Sequence, residues 1–312
     1  MTDETSLTRT LEASRHAAHQ ALARREEALR RRSAGFRSRA GGAQPPLAEF
    51  AAPAAKMAEA GGVASSGVLV AEGDSWFDYP GCDVLGALED DHGFDIESVA
   101  HTGDRVEDMA YSGGQLDDFC RRLERVLRRG VIPRAVLLSG GGNDIAGDEL
   151  AVLLNHAASA KPGINEDVAR GVIDERLRLA YTWIFGAVTS LCQEKLGARI
   201  PILVHGYDYP VADGRGFWGG RWFLPGPWLE PGFRQKGFGD PAERARLLQQ
   251  LIDRFNQMLI DLAALPGFSH VRFVDLRGTL STGADYRDWW ANELHPTEPG
   301  FRRVAERFAA LI

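Results

Sequence analysis

The chain has 312 residues, 44% hydrophobic and 25% charged, with 35 Gly and 15 Pro. That composition excludes collagen-like, low-complexity and wholly disordered chains, and the length provides ample residues for a core. A net charge of −7 excludes the strong positive field that nucleic acid or an anionic membrane surface selects.

In chain order, residues 1–40 come first, rich in Ala, Arg, Glu and Leu and free of Pro. Leu7, Leu11, Ala18, Leu22 and Leu29 follow helical spacing, with small or polar residues between them. The spacing predicts a thinly apolar helix, either a solvated arm or one that docks on a partner or a second copy of the chain. Gly41, Gly42, Pro45, Pro46, Pro53, Gly61 and Gly62 then supply linker composition. Residues 1–62 are therefore expected to be arm and linker, and 63–312 the body.

From about residue 66 short apolar runs alternate with longer amphipathic stretches. The runs fall at 67–71, 96–100, 135–139, 200–205 and 271–274. Helical patterns cover 116–127, 168–191, 242–262 and 301–311. This alternation predicts an α/β fold, a five-stranded parallel sheet covered by helices on both faces. In such sheets the site lies beyond the carboxyl ends of the strands.

Those ends carry the informative residues. The runs are followed in turn by Gly73-Asp74-Ser75-Trp76, His101-Thr102-Gly103-Asp104, Gly140-Gly141-Gly142-Asn143-Asp144 and His205-Gly206-Tyr207-Asp208-Tyr209. The last run leads to Asn292-Glu293-Leu294-His295-Pro296. A serine on a strand-to-helix turn is held at the rim, with the following amides pointing toward it. Its hydroxyl becomes a nucleophile only when a base takes the proton, and His295 has the free pKa for that task. The oxyanion formed on attack needs donors. The Ser75 and Gly103 backbone amides and the Asn143 side chain are the candidates.

With these blocks in this order, the sequence resembles the SGNH hydrolases of the GDSL esterase/lipase superfamily over roughly residues 66–312. Ser75 in Gly-Asp-Ser matches the nucleophile, Gly103 the glycine, Asn143 in Gly-Gly-Asn-Asp the asparagine, and His295 in Leu-His-Pro the base. The resemblance implies a flavodoxin-like three-layer α/β/α fold and hydrolysis of acyl esters without metal or other cofactor. Two positions depart from the pattern. Trp76 stands where the family often has Leu, and Asn292 stands where it usually has the Asp three residues before the histidine. A neutral amide orients a ring without stabilising imidazolium by charge, and the Asp-to-Asn exchange in a Ser-His-Asp protease costs about 10⁴ in turnover. The partner of His295 is therefore open between Asn292 or a backbone carbonyl and the neighbouring acids Glu293 and Asp288.

Aromatic residues gather near these blocks. Trp76 adjoins the nucleophile, while Trp218, Trp222 and Trp228 lie in an insertion at about 209–238 dense in Gly, Pro and aromatics. It follows the fourth strand, so it is expected to overhang the rim, as a packed loop, as a pocket wall for an acyl chain or sugar, or as both.

Three function classes follow. The first is a serine esterase acting on small-molecule, glycan or lipid esters. The second is a binding or assembly protein with weakened catalysis, associating through the N-terminal helix. The third is a metal-dependent phosphoesterase drawing on Asp74, Asn143, Asp144, His205 and His295, although the usual paired-histidine motifs are absent. Cys82, Cys120 and Cys192 are scattered, and no apolar run reaches the roughly 20 residues of a membrane span. A cytoplasmic location is the expectation.

Overall fold

Five short strands form one parallel sheet: β1 (Gly67–Glu72), β2 (Phe94–Ser98), β3 (Ala135–Leu138), β4 (Ile202–His205) and β5 (Val271–Val274). Their spatial order is β2-β1-β3-β4-β5, the flavodoxin-like doubly wound order. The computed structural model describes residues 65–312 apart from 113 and 218–224, together with single helical positions between Thr8 and Arg30. Leu11, one of those positions, packs against the core. The expected linker, Trp218 and Trp222 lie outside the described residues.

The central strands form because their residues are branched, apolar and covered on both faces. Leu69, Val70 and Ala71 of β1, Val136 of β3 and Leu203 of β4 are fully buried. Residue pairing runs Leu69↔Ala135, Val136↔Ile202 and Leu203↔Arg272 across the sheet. The edge strand β2 begins at Phe94, two residues before the expected 96. Gly93 caps the preceding helix in the left-handed region (φ 72°), and the chain re-enters the sheet at once. Strand-like bonds continue past Ser98, from Val99 N–H to Ala71 O and from His101 N–H to Gly73 O, so pairing persists to about the expected end near Ala100.

The helices are α1 (Val84–His92), α2 (Val106–Tyr111), α3 (Gln115–Arg128), α4 (Gly142–Ile145), α5 (Asp148–Val152), α6 (Arg178–Leu196), α7 (Glu230–Gln235), α8 (Pro241–Ala263), α9 (Tyr286–Trp289) and α10 (Glu298–Ala309). α1 packs against α10, while α3 and α8 pack against α6, which gives the three layers. Asp83, Asp240 and Thr297 cap α1, α8 and α10 through side-chain oxygens. The pattern at 168–191 resolves into three pieces. Glu166–Ala169 is helical, Arg170–Leu177 forms wider π-type turns, and α6 follows. Asp174 in the wide segment accepts from Arg254 of α8 at 2.7 Å, an ion pair that sequence spacing does not reveal. Among the described residues no helix is long and apolar enough to cross a membrane.

Candidate active site

The turn after β1 brings Ser75 to the rim. Gly73 is required there by space: a Cβ would stand 2.9 Å from the Ser139 carbonyl oxygen and 2.7 Å from its Cβ. Asp74 is buried and knits the turn. Its Oδ1 accepts from Trp76 N–H at 3.0 Å and from Ser139 Oγ at 2.6 Å, and its Oδ2 accepts from the Tyr207 hydroxyl. Ser139 Oγ lies 2.7 Å from His205 Nε2, and His205 Nδ1 lies 2.6 Å from the Gly206 carbonyl. These groups are engaged with one another in a buried network behind Ser75. Cys192 is no nucleophile, because burial pushes its thiol up to about 12.

Ser75 Oγ lies 2.7 Å from His295 Nε2. His295 sits in a loop that closes on itself through Ala291 N–H to His295 O, and through the Trp290–Pro296 bridge. Its ring is clamped between aromatics. Tyr79 stacks on it at 4.4 Å between centroids, and Trp228 meets it edge-on at 5.5 Å. Burial lowers its pKa to about 3, so the ring is a free base at neutral pH.

The open question of its partner has a geometric answer. Asn292 Oδ1 lies 3.0 Å from His295 Nδ1 and accepts from the backbone N–H groups of Leu294 and His295, both at 2.9 Å. Asn292 Nδ2 donates to the Tyr79 hydroxyl at 3.1 Å. Two backbone donors fix which amide atom is the oxygen, and that oxygen accepts only from a protonated Nδ1. Nε2 is then left unprotonated toward Ser75, the tautomer a base needs.

Glu293 and Asp288 serve elsewhere. Glu293 is fully buried, and its two oxygens accept from the N–H groups of Gly214, Trp228, Leu229 and Glu230 at 2.7–3.0 Å. Burial raises its carboxyl above the usual range, and these four bonds oppose the rise. It anchors the insertion rather than the imidazole. Asp288 has an exposed side chain, while its carbonyl accepts from Thr297 Oγ1 at 2.7 Å. Glu293→Gln replaces one acceptor by a donor and leaves buried N–H groups unpaired, at about 1–3 kcal/mol each. The expected result is a melting temperature lower by about 5–10 °C with an unmoved acidic limb of kcat/KM against pH. A moved limb with unchanged melting would assign Glu293 to the histidine after all.

Gly103 adopts a φ of 93°, a region costly for any side chain. A Cβ there would meet no atom within 4 Å, so the position is fixed by backbone conformation rather than by protein contact. Asn143, in α4, donates from Nδ2 to the Asp104 carbonyl at 2.9 Å, which ties it to the Gly103 loop and leaves its second amide hydrogen. Asp144 accepts from Val106 N–H at 3.0 Å, and burial raises its carboxyl to about 7. Among the described residues, neither the Ser75 nor the Gly103 N–H donates to a protein acceptor.

Trp76 is 3% exposed and donates from Nε1 to the Leu294 carbonyl at 3.0 Å. It stacks on His205 at 5.3 Å. It therefore ties the Ser75 turn to the histidine loop, and it also lines a cavity that Ser75 and Asn143 border. Trp228 touches His295 rather than that cavity. Tyr79 escaped the sequence reading, because nothing in Asp78-Tyr79-Pro80 signals a ring stacked on a residue 216 positions away.

A model of the family described as GDSL-like lipase/acylhydrolase matches residues 65–303. No curated protein matches the chain. Among solved structures, a catalytic mutant of the acetylxylan esterase Axe2 from Geobacillus stearothermophilus is 16% identical, covering 80% of this chain and 94% of that one, with a TM-score of 0.39. A protein from Slackia heliotrinireducens is 13% identical over 79% and 98% of the two chains, with a TM-score of 0.42. A protein from Arabidopsis thaliana is 15% identical over 73% and 65%, with a TM-score of 0.38. Likenesses this remote do not carry a substrate across.

Proposed function

We propose that this chain, which belongs to the GDSL-like lipase/acylhydrolase family and is an ester-bond hydrolase, cleaves carboxylic esters through an acyl-enzyme on Ser75. The observation that carries the reading is the 2.7 Å contact of Ser75 Oγ with His295 Nε2, with Asn292 Oδ1 on the far ring nitrogen. As Oγ attacks the acyl carbon, Nε2 takes its proton. The resulting oxyanion accepts from the N–H groups of Ser75 and Gly103 and from Asn143 Nδ2. Collapse breaks the bond to the alcohol oxygen, which leaves with the proton from Nε2. A water then attacks the acyl carbon while Nε2 takes its proton. Expulsion of the acid returns that proton to Ser75 Oγ. His295 Nδ1–H keeps donating to Asn292 Oδ1 throughout.

A fluorophosphonate probe, which needs an activated serine, tests the reading. Peptide mapping is expected to place the label on Ser75, and hydrolysis of p-nitrophenyl acetate is expected to survive EDTA. Label on another residue, or activity lost to chelation, would overturn it. The oxyanion assignment has its own test. Asn143→Ala is expected to lower kcat by about 10²–10³ with a smaller change in KM, because the bond strengthens as charge develops. A loss confined to KM would make Asn143 a ground-state contact.

A further inference from the structure

The cavity beside Ser75 is small, apolar and walled by helices. It is bordered by Ser75 and Asn143 and closed by Leu150 of α5, Leu229, and Leu248, Leu251 and Ile252 of α8. Its free volume is about 40 Å³. One water-sized group fills about 10–15 Å³, so the space takes a short group of a few heavy atoms.

Apart from Ser75 and Asn143, whose second amide hydrogen is the proposed oxyanion donor, the polar side chains on its wall are already committed. Asp74 accepts from Trp76, Ser139 and Tyr207, which also spends the Tyr207 hydroxyl. Asp208 accepts from Tyr209, Gly278 and Leu280. The indole N–H of Trp290 is the one buried donor on the wall without a partner among the described residues. One donor does not serve a sugar ring, whose several hydroxyls each lose water on entry. An aliphatic chain needs no partner at all.

We infer that this cavity receives the acyl side of the ester and limits it to short aliphatic groups, from acetyl to butanoyl. The inference rests on Ser75 being the atom acylated. With the carbonyl carbon at Oγ, one to three further carbons fill the space. The walls do not yield readily to more. Leu150, Leu248, Leu251 and Ile252 are each at most 3% exposed, and forcing methylenes into close-packed helices strains rotamers and backbone. The alcohol then leaves toward the open rim, where the insertion and Trp228 flank His295, and its size is much less restricted.

The test is kcat/KM for p-nitrophenyl acetate, butanoate, hexanoate and octanoate with the full chain. The expected result is a fall of at least about 10-fold from butanoate to octanoate. In a second series, acetates of methanol, butanol and octanol, no comparable fall is expected. Leu251→Ala enlarges the cavity and is expected to raise the octanoate-to-butanoate ratio by about 10-fold, with Ile252→Val giving a smaller rise in the same direction. Octanoate cleaved as well as butanoate by the wild-type chain would overturn the acyl limit even if no variant folds. A fall in the alcohol series instead would give the cavity to the leaving group. These outcomes leave the Ser75 reading standing, since ester is still cleaved. A chain that cleaves no ester and takes no fluorophosphonate label sinks both.

Discussion

Ser75→Ala is expected to abolish both ester turnover and fluorophosphonate labelling. Loss of the nucleophile in a serine hydrolase costs about 10⁶ in kcat, and only the residual catalysis of the oxyanion donors and of substrate binding remains. The fold is expected to survive. Among the described residues Ser75 Oγ has a single protein partner, His295, and the turn is held by Asp74 and Gly73 rather than by the hydroxyl. A melting temperature close to wild type, measured alongside, separates loss of chemistry from loss of structure. The variant also distinguishes two serines. Ser139 stands between Asp74 and His205 at 2.6 and 2.7 Å, a second grouping of serine, histidine and aspartate. All three are at most 1% exposed, and Ser139 and His205 do not border the cavity beside Ser75, so no ester reaches that serine. Label persisting on Ser75→Ala would mean that this buried grouping opens, and the assignment of Ser75 would fall.

The turns that carry Ser75, Gly103 and Asn143 were legible as strand ends because each follows an apolar run, and the carboxyl ends of parallel strands share one edge of the sheet. Ser75 and His295 are 220 residues apart, and it is the closed loop after β5 and α9 that returns His295 to that edge. What the sequence left open depended on loop closure. Whether Asn292, Glu293 or Asp288 faced the imidazole could not be read from spacing, since all lie within seven residues of it. The decision was made by the insertion. Four N–H groups between Gly214 and Glu230 converge on Glu293, which turns that carboxylate away from the ring. Tyr79 was invisible for the same reason, as its partner arrives from the other end of the chain. The wide turns at Arg170–Leu177 keep helical periodicity, so the pattern could not distinguish them from a regular helix.

The partner assignment makes Asn292 the most informative site to vary. Its side chain meets four groups: Oδ1 takes Nδ1 of the ring and two loop N–H groups, and Nδ2 holds Tyr79. Asn292→Ala removes the acceptor that selects the tautomer, so an appreciable fraction of rings carries its proton on Nε2 and cannot accept from Ser75. The expected loss in kcat/KM is about 10²–10⁴, bounded above by the protease exchange that produces the wrong tautomer. Asn292→Asp keeps the geometry and adds charge. A carboxylate beside Nδ1–H favours imidazolium, so the pKa of His295 rises from about 3 toward the ordinary histidine range. The sign follows from which form works. The base is the neutral ring, present above its pKa, so a raised pKa removes activity from the acid side. Wild-type kcat/KM is therefore expected to hold well below pH 6, whereas Asn292→Asp is expected to lose activity in that range while keeping it at pH 8. Stability moves in the opposite sense. In the wild type the unfolded ring binds a proton near pH 6.5 and the folded one only near pH 3. Stability is thus full above about pH 6.5 and drains as pH falls toward 3, a loss that the aspartate reduces. Two profiles, kcat/KM and melting temperature against pH, read both effects on the same three proteins. An acidic limb that does not move in Asn292→Asp would show that this oxygen does not face the catalytic ring. Full activity in Asn292→Ala would leave the clamp of Tyr79 and Trp228 to orient it alone.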